Sequence, residues 1–227
     1  MYSRDYLMRQ IEVAGQMLAR ILGLAKRGRG DEALGLFDQA YQPLLGVSAR
    51  VVSTLSEEQL LSLLTSGSMP DLRRVATVLE LLKVEADLLD EAGNRAAAVS
   101  RYRRALALAG FLAARSAALP DGALAADLVE RVQAVELSAA QRTQLARVLE
   151  ALGRYADAED ALFEAIDADP GDPGPVDDAI AFCQRLLALD PAALKAGGLP
   201  LDEVKASLAE LLQRQPAVTD DDEPPAW

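Results

Sequence analysis

Residues 153–170 read GRYADAEDALFEAIDADP. Gly153 closes whatever helix precedes it, because glycine alone enters the left-handed region without steric cost. Ala158, Leu162 and Ala165 then follow at steps of four and three, which places them on one face of a helix. Asp157, Asp160, Glu164 and Asp167 recur at the same steps on another face, as a water-facing side does. Asp169-Pro170 stops the run, since proline has no N–H to donate. Upstream, Ser138 caps a helix that reaches Leu152. The whole is therefore a helical hairpin in which small alanines let the two helices approach closely.

The same marks occur twice more, as Gly28/Ala33/Phe37/Ala40 and Gly93/Ala98/Tyr102/Ala105. Each is preceded by a long amphipathic run. Residues 2–27 carry Leu7, Ile11, Ala14, Leu18, Ile21 and Ala25 on one stripe, with Tyr2, Tyr6, Val13, Met17 and Leu24 on a neighbouring side. Residues 71–92 carry Leu72, Val75, Leu79, Leu82, Ala86 and Leu89. The pattern resembles the tetratricopeptide repeat, whose units end in a proline as this stretch does at Pro170. That resemblance implies an all-α array of antiparallel helix hairpins of α-solenoid type. Tandem units of that kind recur about every 34 residues, whereas the glycines here stand 65 and 60 apart. An irregular array is expected in place of a regular superhelix with a continuous peptide groove.

Between the hairpins, Ser56 before Glu57-Glu58 caps a short helix over 59–64, and Gly67, Ser68 and Pro70 end it. Leu119-Pro120-Asp121-Gly122 is a turn, followed by a helix to about Val135. Asp172-Pro173-Gly174-Pro175 is another turn, and two helices follow, at 176–189 and 201–213. Residues 1–215 thus read as one helical repeat-like domain. Residues 216–227, with Asp220 to Glu223, Pro224 and Pro225, read as an acidic disordered tail. Trp227 is read either as part of an unbound tail or as an aromatic anchor.

Composition removes whole classes of chemistry. The chain has no histidine and one cysteine, Cys183, so His-based triads, zinc sites of the usual kind and intramolecular disulfides are excluded. Cys183 lies in an apolar stretch and is expected to be a buried small hydrophobe. No signal peptide and no span of about 18 uncharged apolar residues is present, so a cytoplasmic protein is expected. No catalytic residue, cofactor or metal ligand is assigned. The carboxylates around Asp157 to Asp169 lack the alternating loop spacing of a calcium site.

The formal charge of −12 is unevenly spread. Residues 150–178 hold ten acidic residues against Arg154 alone, and Asp220 to Glu223 add four more, while residues 1–50 and 71–120 are each slightly basic. Nucleic acid and membrane are therefore not expected partners. The local cluster Arg95, Arg101, Arg103, Arg104 and Arg115 reads as a solvated helix face.

Candidate binding residues lie in the first helix. Tyr2, Tyr6 and Arg9 share a stripe, and Asp5 and Glu12 flank Arg9 at ion-pair spacing. Two readings are open: an anion or peptide-terminus site built on Tyr2, Tyr6, Arg9 and Glu12, or an arginine clamped by carboxylates that orients the helix against a partner. The opening Met1-Tyr2-x-Arg4-Asp5-Tyr6-x-Met8-Arg9-x-Ile11-Glu12, the hairpin at Gly28 and the later Leu55-Ser56-Glu57-Glu58-x-Leu60-Leu61 are similar to an uncharacterised bacterial family of helical proteins, a domain of unknown function. The similarity spans roughly residues 1–168. It implies a helical fold and a bacterial origin, and no activity. The expected function is a non-enzymatic helical scaffold or adaptor that mediates protein–protein interaction. A protein partner is expected, a basic one suiting the acidic region, together with homo-oligomer formation through the first helix, where Met17 and Leu18 are taken as interface residues. The alternative is a sensor that binds a small anionic ligand or peptide through that helix.

Overall fold

Three turns of one construction, repeated a fourth time at Gly198, organise the chain. Gly28, Gly93 and Gly153 adopt φ of +71°, +80° and +73°. Each donates its N–H to the carbonyl three residues back, on Ala25, Asp90 and Glu150. The following residue donates to the carbonyl five residues back: Arg29 to Leu24, Asn94 to Leu89 and Arg154 to Leu149. This pair of bonds satisfies carbonyls that a helix end leaves open and reverses the chain.

The structure, a computed structural model, describes residues 2–65, 70–115, 119 and 121–214, and for residues 2–5 the backbone alone. The helices are α1 (Tyr2–Ala25), α2 (Gly30–Leu34), α3 (Phe37–Leu45), α4 (Ala49–Val52), α5 (Glu57–Thr65), α6 (Leu72–Glu91), α7 (Arg95–Ala113), α8 (Gly122–Gln133), α9 (Ala139–Ala151), α10 (Tyr155–Ala168), α11 (Gly174–Leu186), α12 (Pro191–Ala196) and α13 (Leu201–Arg214). No strand occurs among the described residues. The acidic stretch from residue 216, including Trp227, and the expected break at Gly67-Ser68 lie outside the described residues, as does Pro120. No helix is long and apolar enough to cross a membrane among the described residues.

Each glycine turn joins two packed elements: α1 lies on α2 and α3, α6 on α7, and α9 on α10. The residues that share a face after each glycine are all core. Ala33, Phe37, Ala40, Ala98, Tyr102, Ala105, Ala158 and Ala165 are fully buried, and Leu162 nearly so. Successive pairs stack through α1 on α6, α7 on α9 and α10 on α11, with α13 against α11. Side-chain caps fix the entries where the chain reverses without glycine: Asp71 accepts from the N–H groups of Arg73 and Arg74, and Ser138 forms a reciprocal capping box with Gln141.

Two expectations are corrected. The single helix expected after Gly30 is two, α2 and α3. At Leu36 the N–H turns to Ala33 O, three residues back, in place of a fourth-residue bond, and this tighter winding brings both Phe37 and Tyr41 fully into the core.

The arginine cluster on α7 is not a solvated face. Arg101 is 8% and Arg104 9% exposed, because α7 is covered by α5, α6, α8 and α9 at once. Arg101 Nη2 donates to Glu85 Oε1 at 3.0 Å, and Tyr41 OH donates to Glu85 Oε2 at 2.8 Å. Buried Glu85 thus joins α3, α6 and α7. Arg104 donates to Leu55 O and Ser53 O and to Ser100 O, tying the loop before α5 to α7. Arg103 donates to Glu136 O at 2.6 Å. Arg95 and Arg115 do stand at the surface.

The C-terminal elements lock onto the third glycine turn. Gly197, which ends α12, accepts the N–H groups of Tyr155 at 2.9 Å and Ala156 at 3.1 Å. It thereby satisfies the first donors of α10, whose own N-cap residue Arg154 gives no side-chain bond.

Candidate functional site

Helices α9 and α11 flank an open groove of about 660 Å³, completed by the end of α7 and the start of α10. Its walls mix charged and apolar residues, and the apolar ones are partly small, Ala113, Ala146 and Ala151 beside Leu162, Phe182 and Leu189. Small side chains give it depth, and Leu189, 39% exposed, stands at its lip.

Charged groups cross the groove in two rungs. Arg147 on α9 donates through Nη2 to Asp178 Oδ1 on α11 at 2.9 Å. Arg185 on α11 reaches back to Glu150 on α9 in a two-pronged pair, Nε to Oε1 at 2.8 Å and Nη2 to Oε2 at 2.7 Å. The hydrogen-bonded Glu150 carboxylate holds Arg185 above the ordinary guanidinium value. Because the partners are ordered alike along both helices, α9 and α11 run in the same direction, as alternate members of antiparallel hairpins do. Two-pronged arginine–carboxylate geometry is the stronger and more directional kind.

A third guanidinium, that of Arg115, follows the end of α7. Its central carbon lies 3.6 Å above the Phe111 ring centroid, a cation–π contact that holds the group without consuming its N–H donors. Among the described residues it has no carboxylate partner. On the inner side of α11, Cys183 is buried, and burial, followed by the charge of Glu159, pushes its thiol up to about 11. It stays protonated and unreactive at neutral pH, in line with the buried role expected for it.

The acidic residues of α10 point elsewhere. Asp157, Asp160, Glu164 and Asp167 are exposed and lie on the far side of the helix from Leu162, which faces the groove. Glu159 is the exception. Half-buried, with Oε1 lacking a hydrogen-bond partner among the described residues, it is held above the usual carboxylate range by burial, against the pull of a Ser207 hydrogen bond, with Asp160, Glu203 and Glu210 adding to the rise. No group of three or more metal-ligating side chains is gathered among the described residues.

On α1 the candidate residues are dispersed. Tyr6, 65% exposed, lines a shallow depression of about 580 Å³ with Gln10, Gln42, Leu44 and Arg74. Arg9 and Glu12 are exposed and do not line it, and the side chain of Tyr2 lies outside the described residues. The cation beside Tyr6 is Arg74, which donates through Nε to Leu44 O at 2.7 Å. It is 68 residues from Tyr6 in sequence and carried no local signal. Leu18 is core, 4% exposed, and is not an interface residue as expected; among the described residues the exposed large apolar side chains of α1 are Tyr6, Met8, Val13 and Leu22.

The groove was likewise not readable in advance. Arg147 and Glu150 form an unremarkable pair three residues apart on a helix, and their partners Asp178 and Arg185 come about thirty residues later. The Gly153 motif, which lies at the groove's edge beside Tyr155, was the nearest usable signal. Over residues 1–215 the chain matches a family described as a family of unknown function (DUF6483). No curated protein and no solved structure matches it.

Proposed function

The chain belongs to the family of unknown function (DUF6483), and we propose that it works as a non-enzymatic helical scaffold or adaptor that binds a protein partner in the groove between α9 and α11. In this reading α6, α9 and α11 are the first helices of successive tetratricopeptide-like units, and the groove is the concave surface that such stacking creates. The observation that carries it is the groove's construction. Ion pairs brace its two walls, small apolar residues give it depth, and a guanidinium with unused donors stands at its mouth. Both carboxylates in the groove are engaged by arginines, which suits a binding surface better than a proton-transfer site. A cytoplasmic setting and a bacterial origin belong to the same proposal.

A photo-crosslinking residue in place of Leu189, tested in native cells, examines this reading. A discrete protein adduct that Arg115→Glu abolishes and Arg95→Glu leaves intact supports it. Absence of any adduct, or loss with both variants, overturns it. The same residue at Asp157 examines whether the acidic side of α10 meets a basic partner.

A second reading, a sensor for a small anion at the N-terminal helix, is favoured by the approach of Tyr6 to Arg74 in one depression. Calorimetric titration with phosphate and with acetate tests it: binding weakened by both Tyr6→Phe and Arg74→Gln supports the sensor, and heats indistinguishable from dilution remove it. Self-association through Tyr6 and Val13 of α1 is compatible with either reading.

A further inference from the structure

We infer that the α9–α11 groove takes an acidic, extended segment of a partner protein, a segment carrying one apolar side chain among its carboxylates; this rests on the protein-binding reading above. The argument is one of charge and of open hydrogen-bond valence. The groove sets three guanidiniums, on Arg115, Arg147 and Arg185, against the two carboxylates of Glu150 and Asp178, leaving a positive surplus on a chain whose formal charge is −12. A guanidinium carries five N–H donors. Arg185 gives two to Glu150 and Arg147 gives one to Asp178, while Arg115 is held through its face by Phe111. Among the described residues most of the donors therefore stay open, and what suits them is a ligand rich in acceptors.

An extended segment meets that demand with backbone carbonyls as well as carboxylates, whereas a helix has already used its carbonyls internally. A basic segment would find both carboxylates occupied and three cations in its way. The apolar side chain is required by the lip, where Leu189, 39% exposed, offers surface that a purely charged ligand would leave wet. The two rungs keep the cleft open in the absence of a ligand, so the arginines are held in place before binding and little ordering cost remains.

The test uses the full chain and fluorescein-labelled synthetic peptides that alternate glutamate with serine around a single leucine, compared with peptides in which glutamine or lysine replaces every glutamate. Binding is read by fluorescence anisotropy. The glutamate probe is expected to bind, to weaken as salt is raised, and to lose about tenfold in affinity with Arg115→Gln, the scale of one charge-assisted hydrogen bond. Arg95→Gln, an exposed arginine outside the groove that pairs with Asp90, is expected to leave the affinity unchanged.

Equal binding of the glutamine or lysine probe overturns the acidic specificity and leaves the protein-binding reading standing, and failure of all three probes overturns both. Equal loss with Arg95→Gln reduces the effect to bulk charge and refutes the site. A glutamate probe that binds only after Asp220, Asp221, Asp222 and Glu223 are neutralised assigns the groove to the chain's own acidic run and refutes an external partner.

Discussion

Replacing Arg101 with methionine removes the guanidinium that stands 3.0 Å from Glu85 and leaves a carboxylate, 5% exposed, with the Tyr41 hydroxyl at 2.8 Å as its remaining partner. Arg104 cannot swing into the vacancy, because its donors hold Leu55 O, Ser53 O and Ser100 O. Breaking a buried pair from one side costs about 3–5 kcal/mol. Arg101 Nε is itself buried without a hydrogen-bond partner, so its removal also relieves an unmet donor, and the expectation falls at the low end, about 3 kcal/mol. In a chain of this size that is a fall in Tm of roughly 6–12 °C.

Removing both charges with Glu85→Met and Arg101→Met is expected to cost less than the single change, since no buried charge is then left unpaired and the Tyr41 hydroxyl alone loses its acceptor. Tyr41→Phe falls between, at about 1–3 kcal/mol for one unmet carboxylate oxygen. Burial first, and then the charge of Glu85, hold the Tyr41 hydroxyl well above its ordinary value, so it remains a donor across the whole working range of pH. Urea titration followed by far-UV circular dichroism measures these three variants, the single Glu85→Met variant and the parent. A single Arg101→Met cost below about 1 kcal/mol, the range of exposed pairs, refutes the reasoning. So does a double variant as unstable as the sum of its parts.

Further outcomes can be set beside this one. A Cβ at Gly197 would lie 2.5 Å from Gly153 O and 2.2 Å from the Tyr155 ring. Gly197→Ala is therefore expected to push α12 off the α9–α10 turn and to cost about 1–3 kcal/mol, with faster hydrogen exchange at Tyr155 and Ala156 as the specific readout; unchanged exchange there counts against it. The folded state binds the proton of Glu159 more tightly than the unfolded chain does, so stability falls as pH rises from the ordinary carboxylate value through the raised one. Glu159→Gln removes that loss: its Tm is expected to exceed that of the parent at pH 7 and to converge with it under acid conditions where both states of the parent are protonated, and an advantage that persists undiminished in acid contradicts the assignment. Val13→Glu places a charge on the exposed side of α1; light scattering is expected to show a shift from dimer to monomer with unchanged helicity, and a parent that is monomeric across micromolar concentrations ends the self-association proposal.

The hairpins were legible because their determinants are local. The residues five, nine and twelve positions after each glycine lie within about two helical turns of one another, so the periodicity carries the contact. The helix over 155–168 needed no correction at either end. The division of α2 from α3 was not legible, because it depends on Phe37 and Tyr41 both finding room in a core assembled from α1 and α6. The burial of Arg101 and Arg104 was missed for a related reason: their charge was weighed without the rest of the helix. The run from Ala105 to Phe111 is apolar on every side, which signals a helix covered all round, and the arginines on the turn just before it had to find internal partners. The groove lay beyond reach, since its four paired charges come from two helices whose adjacency no single segment announces.

The Tyr41–Glu85 hydrogen bond spans 44 residues, and this has a consequence in time as well as in energy. The glycine turn at Gly28 can close as soon as its own neighbours leave the ribosome, but the hairpin it makes buries a tyrosine whose acceptor has yet to be synthesised. At about 5–20 residues per second, Tyr41 waits roughly two to nine seconds for Glu85, and longer for Arg101. During that interval α1 to α3 form a nascent unit with an unmet polar group and an uncovered apolar side. The N-terminal hairpin thus cannot complete its buried polar contacts until α7 has emerged.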